Sequence, residues 1–448
     1  MGIFSSLSRD QREAIVILQI GTFLEYFDLM IYVHMAVLLN ELFFPKTDPH
    51  TANLISAMTF CITFIFRPFG ALIFGYIGDT YGRKATVVIT TMMMACCCAT
   101  MAILPTYAAV GIIATWLVTI CRIVQGLSSM GEIIGAQIYL SELIKKPERY
   151  PGVTFIGCAD FLGALAALAV ATCVLKAGLE WRVVFWFGAL IAIVGTVART
   201  ALRETPEFID AKFKLRKNLE KANVDPKTVL EQDYLVNKKV NQVTSLAYFF
   251  IQCSRPVWFY FIYVHCANIL KHSFNYTPQQ IIQHSLMIQA VEFVAMVCYG
   301  YLSYKIYPLK IDKVRIALTF ILILCIPYLL FNVSTVTHLF LIQAFICICR
   351  PTQTPSAAIF FVHFPIFKRF TYVSFLYAMS RALMYTITSF GLIYLTKMFN
   401  HWGLWIVFIP VMVGFSFGIA HFEKLEKATG NYPQKFPSNG KMMSKIEV

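Results

Sequence analysis

The chain is 448 residues long, 58% apolar and only 14% charged, with a mean hydropathy of +0.65. Soluble globular proteins carry about 25% charged residues, so this composition excludes a soluble chain. The formal net charge of +14 would suit a polyanion binder, but the basic residues are divided between alternate loops, which sets orientation and marks no nucleic-acid partner.

Apolar blocks of about 20–27 residues, each long enough to cross a ~30 Å hydrocarbon core as a helix, predict twelve spans. They lie at 14–39, 53–78, 84–104, 108–131, 152–175, 181–202, 243–270, 280–303, 314–331, 336–361, 370–396 and 402–421. The loops on one side hold 27 of the Lys and Arg residues. Those on the other hold five (Lys46, Lys176, Arg182, Lys271 and Lys397), and six lie within spans. The positive-inside rule then places both termini and the long central segment in the cytoplasm. The leader MGIFSSLSRDQRE is short and polar. No small-residue cleavage site follows the first apolar block, so that block is expected to be a retained span.

Within the first span, Glu25 and Asp28 interrupt FLEYFDLMIY. An Asp at a helix centre in a bilayer costs roughly 2.5–3.5 kcal/mol, so the pair needs a reason. Three residues apart, the two lie on one helix face, with Tyr32 a turn beyond. Neighbouring carboxylates in a low dielectric do not both ionise freely, which is the property a proton-coupling site needs. Alternatively, an arginine neutralises Asp28 and the pair holds two helices together.

Between the second and third spans, GYIGDTYGRK sets out Gly75-x-x-Gly78-Asp79-x-x-Gly82-Arg83-Lys84. Gly75 and Gly78 permit close helix approach and Gly82 a tight turn. Asp79 is suited to cap the next helix or to pair with a base, latching the cytoplasmic side. In the fourth span Arg122, Gln125, Ser129 and Glu132 recur at helical spacing, and such a polar stripe must face protein or water. Arg122 is the expected partner of Asp28. Glu132, ten residues on and about 15 Å nearer the cytoplasm, is either an inner proton relay or a structural partner for Arg67. Asp160 is an isolated acid in the fifth span.

Residues 203–240 carry nine basic and seven acidic residues and too few apolar ones to bury a core. They read as a linker with some helical character, dividing the chain into halves at 1–202 and 241–421. The final residues, 422–448, read as a disordered cytoplasmic tail. Six spans on each side of a central segment is the layout of transporters built from two repeats, with the solute site between them.

In the second half, the loop equivalent to 75–84 is GYLSYKIYPLK (300–310), with Tyr304 where an acid would stand. Arg67-Pro68, Arg255-Pro256 and Arg350-Pro351 each join a cation to a helix breaker. Arg255, Arg350 and Arg381 share that half's spans with Glu292 as the only acid, which suggests a cavity welcoming a carboxylate bidentately; local pairing of each is the alternative. Asp160 and Glu292 would serve a cationic solute group or a proton. All thirteen cysteines fall in predicted spans without metal-ligand spacing, so they read as buried thiols and no metal or cofactor is expected.

GYIGDTYGRK resembles the loop motif of the major facilitator superfamily, although Thr80 stands where that family usually has a base. Further stretches resemble one branch, the metabolite:proton symporters that include proline/betaine, α-ketoglutarate, citrate and shikimate permeases. These are LEYFDLMIY, FRPFGALIFGYIGD (66–79), RIVQGLSSMGEIIGAQIYLSE (122–142), WRVVFWFGAL with LRETPEF, and, less closely, FPIFKRFTYVSFLY (364–377). The resemblance implies an all-α membrane protein of twelve helices in two six-helix halves, alternating access by rocking them. Its expected partners are a proton and a small carboxylate-bearing solute (organic acid, amino acid or betaine), as a monomer in a bacterial inner membrane. No Walker A sequence is present, so ATP-driven pumping is excluded. A transporter-like sensor or scaffold, or an uncoupled facilitator or exporter, is the rival reading; an enzyme is not expected.

Overall fold

The computed structural model describes residues 6–34, 39, 42–45, 49–221 and 239–433. The middle of the predicted central segment (222–238) and the end of the predicted tail (434–448) lie outside them. The described residues form helices and no strands. The first half holds α1 Arg9–His34, α2 Pro49–Thr80, α3 Arg83–Ile103, α4 Ile112–Leu143, α5 Arg149–Lys176 and α6 Arg182–Thr200, followed by α7 Pro206–Lys221. The second holds α8 Gln242–Tyr260, a π segment Phe261–His265, α9 Cys266–Ser273, α10 Pro278–Lys305 and α11 Pro308–Phe331. It continues with α12 Val336–Cys349, α13 Ala357–Val362, α14 Arg369–Phe399 and α15 Leu404–Ala428. By length and composition, eight helices among the described residues can cross a membrane.

Local chemistry sets several boundaries. Asn241 starts α8 by accepting from the Val243 amide at 2.9 Å. A capping box of Thr277 and Gln280, with Pro278 at the first turn, starts α10. Gly82, at φ +132°, turns the chain between α2 and α3 in a region a side chain rarely adopts, and a Cβ there would meet the Glu204 carboxylate.

Several boundaries depart from the sequence expectation, α4 running to Leu143 where the predicted span ends at 131, and two others have a visible cause. The predicted span 336–361 is broken: Arg350, ahead of Pro351, takes φ −54°, ψ 130°, the extended geometry that a following proline favours. Four carbonyls at the break find side-chain donors. Thr319 serves Cys349 at 2.9 Å, Ser254 serves Pro351 at 2.9 Å, and the Arg315 guanidinium serves both Arg350 and Thr354. Non-helical backbone at membrane depth requires such internal satisfaction. Secondly, α15 continues to Ala428 rather than ending at 421, because Phe422, Glu423 and Glu426 are buried against neighbouring helices; residues 422–428 are therefore helix, not disordered tail.

Within the first half α1 packs on α5, α2 on α4 and α3 on α6; in the second, α8 packs on α14 and α15. The halves meet where α2 lies on α14 and α5 on α10. One apolar core is shared by both halves at the end bearing Leu7, Ile144, Tyr307 and Phe422. The remaining apolar cores each belong to a single half. Among the described residues the molecule is thus sealed at the end where the basic loops lie.

Candidate functional site

At 1.5 Å per residue, Asp160, Arg255 and Arg381 each lie about 16–20 Å into their helices from the sealed end, and Asp28 about 28 Å. Glu25 and Asp28 do share a face of α1, but each faces its own arginine, so the carboxylates are not the coupled dyad that their spacing suggested. Arg67 of α2 reaches Glu25 at 3.0 Å. Arg122 of α4 reaches Asp28 at 3.3 Å and donates to Gln125 at 2.8 Å, while Gln125 donates back to Asp28 at 2.8 Å. The Cys98 thiol adds a weak donor to Asp28 at 3.7 Å. This is the geometry of a helix clamp of three elements, α1, α3 and α4. Tyr32 and Glu132 fall within α1 and α4, but their side chains lie outside the described residues.

Between the halves, Arg255 of α8 donates to Tyr26 of α1 and to Asp160 of α5, both at 3.1 Å. Arg350, at the break after α12, pairs with Glu292 of α10, and the Tyr263 hydroxyl donates to the same carboxylate at 2.9 Å. Glu292 and Arg350 are therefore mutual partners. Arg381 of α14 differs: it is 4% exposed, its charge lies 3.2 Å from the Tyr377 ring centre, and it donates to Gln252 at 3.4 Å. Among the described residues no carboxylate stands within ion-pair distance of it, and its Nη2 makes no hydrogen bond. Desolvating a cation without an anion is costly.

The loop motif closes the sealed end. Asp79 does not cap the helix that follows it; Glu204 does that, accepting from the Arg83 and Lys84 amides at 3.0 and 3.2 Å. The Asp79 carboxylate instead crosses to the second half and accepts from the Phe370 and Thr371 amides at 3.0 and 2.8 Å, capping α14. Arg83 lies fully buried on Glu142 at 3.0 Å and reaches across to the Ile366 carbonyl at 2.6 Å. Arg369, in the second half, closes back on Glu142 at 2.9 Å and Glu207 at 3.2 Å. Gly75 and Gly78 let these surfaces meet: a Cβ on Gly75 would stand 2.5 Å from the Thr371 Cα, and one on Gly78 would stand 2.7 Å from the Phe370 ring.

Glu142, Glu204, Glu207 and Arg369 were not singled out from sequence. Glu142 did carry a signal. It is one residue from the C-terminus of α4, where the helix dipole disfavours an anion, so it needed a compensating cation.

The degraded loop of the second half is not inert. Tyr307 donates to Glu426, His363 stands 2.8 Å from the same carboxylate, and the Tyr307 ring meets Tyr150 of the first half edge-on at 6.0 Å. Burial pushes the Tyr307 hydroxyl up from its ordinary value, helped by Tyr150 and Glu426. Burial likewise holds Lys146 below the usual lysine value, against the opposing pull of Glu426.

The sequence model of the Major Facilitator Superfamily matches residues 18–384. Over 294 residues the chain is 28% identical to a proline/betaine transporter of Escherichia coli K12, covering 64% of this chain and 57% of that protein. Over 201 residues it is 37% identical to the inner membrane metabolite transport protein YhjE of the same organism, covering 42% of this chain and 45% of that one. The chain so spans about half the length of these curated relatives. Among solved structures, the proton:xylose symporter XylE bound to 6-bromo-6-deoxy-D-glucose superposes with a TM-score of 0.73 at 14% identity, covering 92% and 95% of the two chains. The human organic anion transporter MFSD10 does so at 0.63 and 16%, covering 93% and 100%. At these identities the structural likeness is one of fold.

Proposed function

The chain belongs to the Major Facilitator Superfamily, a family of transporters and not of enzymes, and from that premise we propose that it is a secondary active transporter moving a small carboxylate-bearing solute together with a proton. Twelve spans in two halves, with both termini and the sealed end cytoplasmic, would set it in a bacterial inner membrane as a monomer. The motif at Asp79 and Arg83 then acts as the cytoplasmic latch, and the described arrangement is the cytoplasm-closed state.

The observation that carries the solute class is Arg381, a buried guanidinium of the second half with no carboxylate within ion-pair distance among the described residues and with Nη2 making no hydrogen bond. A solute carboxylate supplies the missing anion in the bidentate geometry that arginine favours. The curated relatives named for proline, betaine and metabolites agree in chemical class. Proton coupling is supported by Asp160, a carboxylate buried among the spans.

Purified protein in proteoliposomes with an inward proton gradient, tested in parallel with labelled citrate, α-ketoglutarate, proline and glycine betaine, is expected to accumulate at least one of them. An ionophore abolishes the accumulation. Arg381→Gln loses it through loss of binding, with a fall of about 10–150-fold in affinity for one charge-assisted contact of about 1.5–3 kcal/mol. Uptake that persists unchanged without the gradient, or an unaltered affinity in Arg381→Gln, refutes the corresponding half of the reading.

A further inference from the structure

Resting on that reading, we propose that the Asp160–Arg255 bridge is the coupling switch of the transporter: the solute carboxylate takes over Arg255, and the released Asp160 takes the proton. The sequence points to the pair Glu25 and Asp28 for this role, and the geometry points elsewhere.

A ligand shifts a conformational equilibrium only by what it changes differently in the two states. Glu25–Arg67, Asp28–Arg122 and Glu292–Arg350 each lie within one half, so rocking the halves carries them along unchanged. Among the ion pairs described at mid-depth, Asp160–Arg255 is the one that joins the halves. Its making and breaking is therefore tied to the motion itself.

The two carboxylates also differ in readiness. Both Asp28 oxygens accept hydrogen bonds, from Arg122, Gln125 and Cys98; a proton arriving there must displace a donor. Asp160 Oδ2 accepts from Arg255, while its Oδ1 accepts no hydrogen bond among the described residues. Arg255 keeps 26% of its side chain exposed and lies at the depth of Arg381, so a carboxylate drawn to the vacant cation arrives beside it. The groups facing Asp160 are Arg255 from α8, Tyr26 from α1 and, through its field, Glu292 from α10. Glu292, held by Arg350 and Tyr263, is itself an anion and offers Asp160 no compensating charge. Once Arg255 turns to the solute, Asp160 is a buried carboxylate with no cation, and protonation is what neutralises it.

The step balances simply. One O–H bond forms on Asp160 with a proton from the outer solution, and the same bond breaks when the proton leaves to the cytoplasm. Solute departure returns Arg255 to Asp160. One carboxylate and one proton cross per cycle.

The test uses the full-length protein in proteoliposomes with the same four labelled solutes. Each pH unit is a factor of about ten in proton activity, so one coupled proton sustains about tenfold accumulation across a one-unit gradient. Asp160→Asn is expected to lose this accumulation while retaining solute exchange in counterflow, which shows that it is folded. Asp160→Glu restores accumulation. In detergent, wild type takes up a proton when the transported solute binds; Asp160→Asn does not, and Asp28→Asn still does. Gradient-driven accumulation by Asp160→Asn, or proton uptake lost in Asp28→Asn but kept in Asp160→Asn, overturns the assignment and leaves the proposed function standing. Failure of wild type to accumulate any of the four solutes overturns the proposed function and takes the switch with it.

Discussion

Replacing Asp79 with Ala isolates the force that holds the halves together at the sealed end. Its carboxylate makes two hydrogen bonds to backbone amides of the other half, at 3.0 and 2.8 Å, at the N-terminus of α14. Bonds to a charged group contribute about 1.5–3 kcal/mol each, and the helix dipole favours an anion there. Taking the low end for both gives about 3 kcal/mol, or a factor of about a hundred in the closed-to-open ratio. Arg83 also touches Asp79, at 3.4 Å, but keeps Glu142, so the fold of the first half survives. The population change is readable by pulsed electron spin resonance between nitroxides on genetically encoded residues at the exposed positions Tyr81 and Val243, which avoids the native cysteines. A new, longer distance should appear in Asp79→Ala and be absent from wild type. An unchanged distance distribution would mean that the shared apolar core with the Arg83 and Arg369 contacts closes that end without Asp79, and the role given to Asp79 fails.

Arg315→Gln withdraws donors from the Arg350 and Thr354 carbonyls and leaves Asp312 buried without its cation. It is expected to cost about 3–5 kcal/mol, read as a marked fall in thermal unfolding temperature in detergent; an unchanged melting point refutes the role given to Arg315 at the helix break. Gly70→Ala and Gly75→Ala should behave differently although both crowd backbone. A Cβ at Gly70 lies 2.2 Å from the Leu127 carbonyl oxygen within one half, whereas at Gly75 it lies 2.5 Å from Thr371 Cα across the halves. The first should lower yield and melting temperature; the second should fold and shift the spin-label distances toward the open form. Equal loss of stability in both would contradict the separation of the halves as rigid units.

Sequence alone reached the helical character and the apolar spans, because span length and hydropathy are local properties of the chain. It also reached which buried charges demand a partner. What it did not reach is who the partner is. Asp79 and Glu204 are both acids near the start of a helix, yet Asp79 caps α14, almost 300 residues on, while Glu204 caps α3. Nothing within twenty residues of either distinguishes these roles; they depend on how two halves dock. For the same reason Glu25 and Asp28 looked like one titrating unit, since the arginines that separate them come from α2 and α4. The break at Arg350-Pro351 was legible as a cation beside a proline. That Arg67-Pro68 and Arg255-Pro256 remain helical was not, because what decides between a kink and a break is whether side chains such as Arg315, Thr319 and Ser254 are present to serve the freed carbonyls.

The buried charges then divide by a single physical criterion, whether partner and charge move together. Pairs within a half are fixed costs of placing polar groups in a bilayer: their desolvation is compensated once, and they report only on stability. Contacts between halves have a free energy that changes along the transport motion. Among the described residues, those toward the sealed end include Asp79 on α14, Arg83 on the Ile366 carbonyl, Arg369 on Glu142 and the hydrogen bond from Gln353 to Gln137 at 3.3 Å; at mid-depth the described ion pair is Asp160 with Arg255. The two sets lie at different depths, so the solute meets the second before the first can open. A carboxylate that releases Arg255 from Asp160 removes a tie between the halves in the middle of the molecule while the latch is still shut. Protonation of Asp160 then keeps that tie from re-forming, so opening of the latch has only its own contacts to overcome. Occupied by a solute without its proton, the middle would instead hold an unpaired carboxylate through the motion, which is the state that strict coupling must exclude.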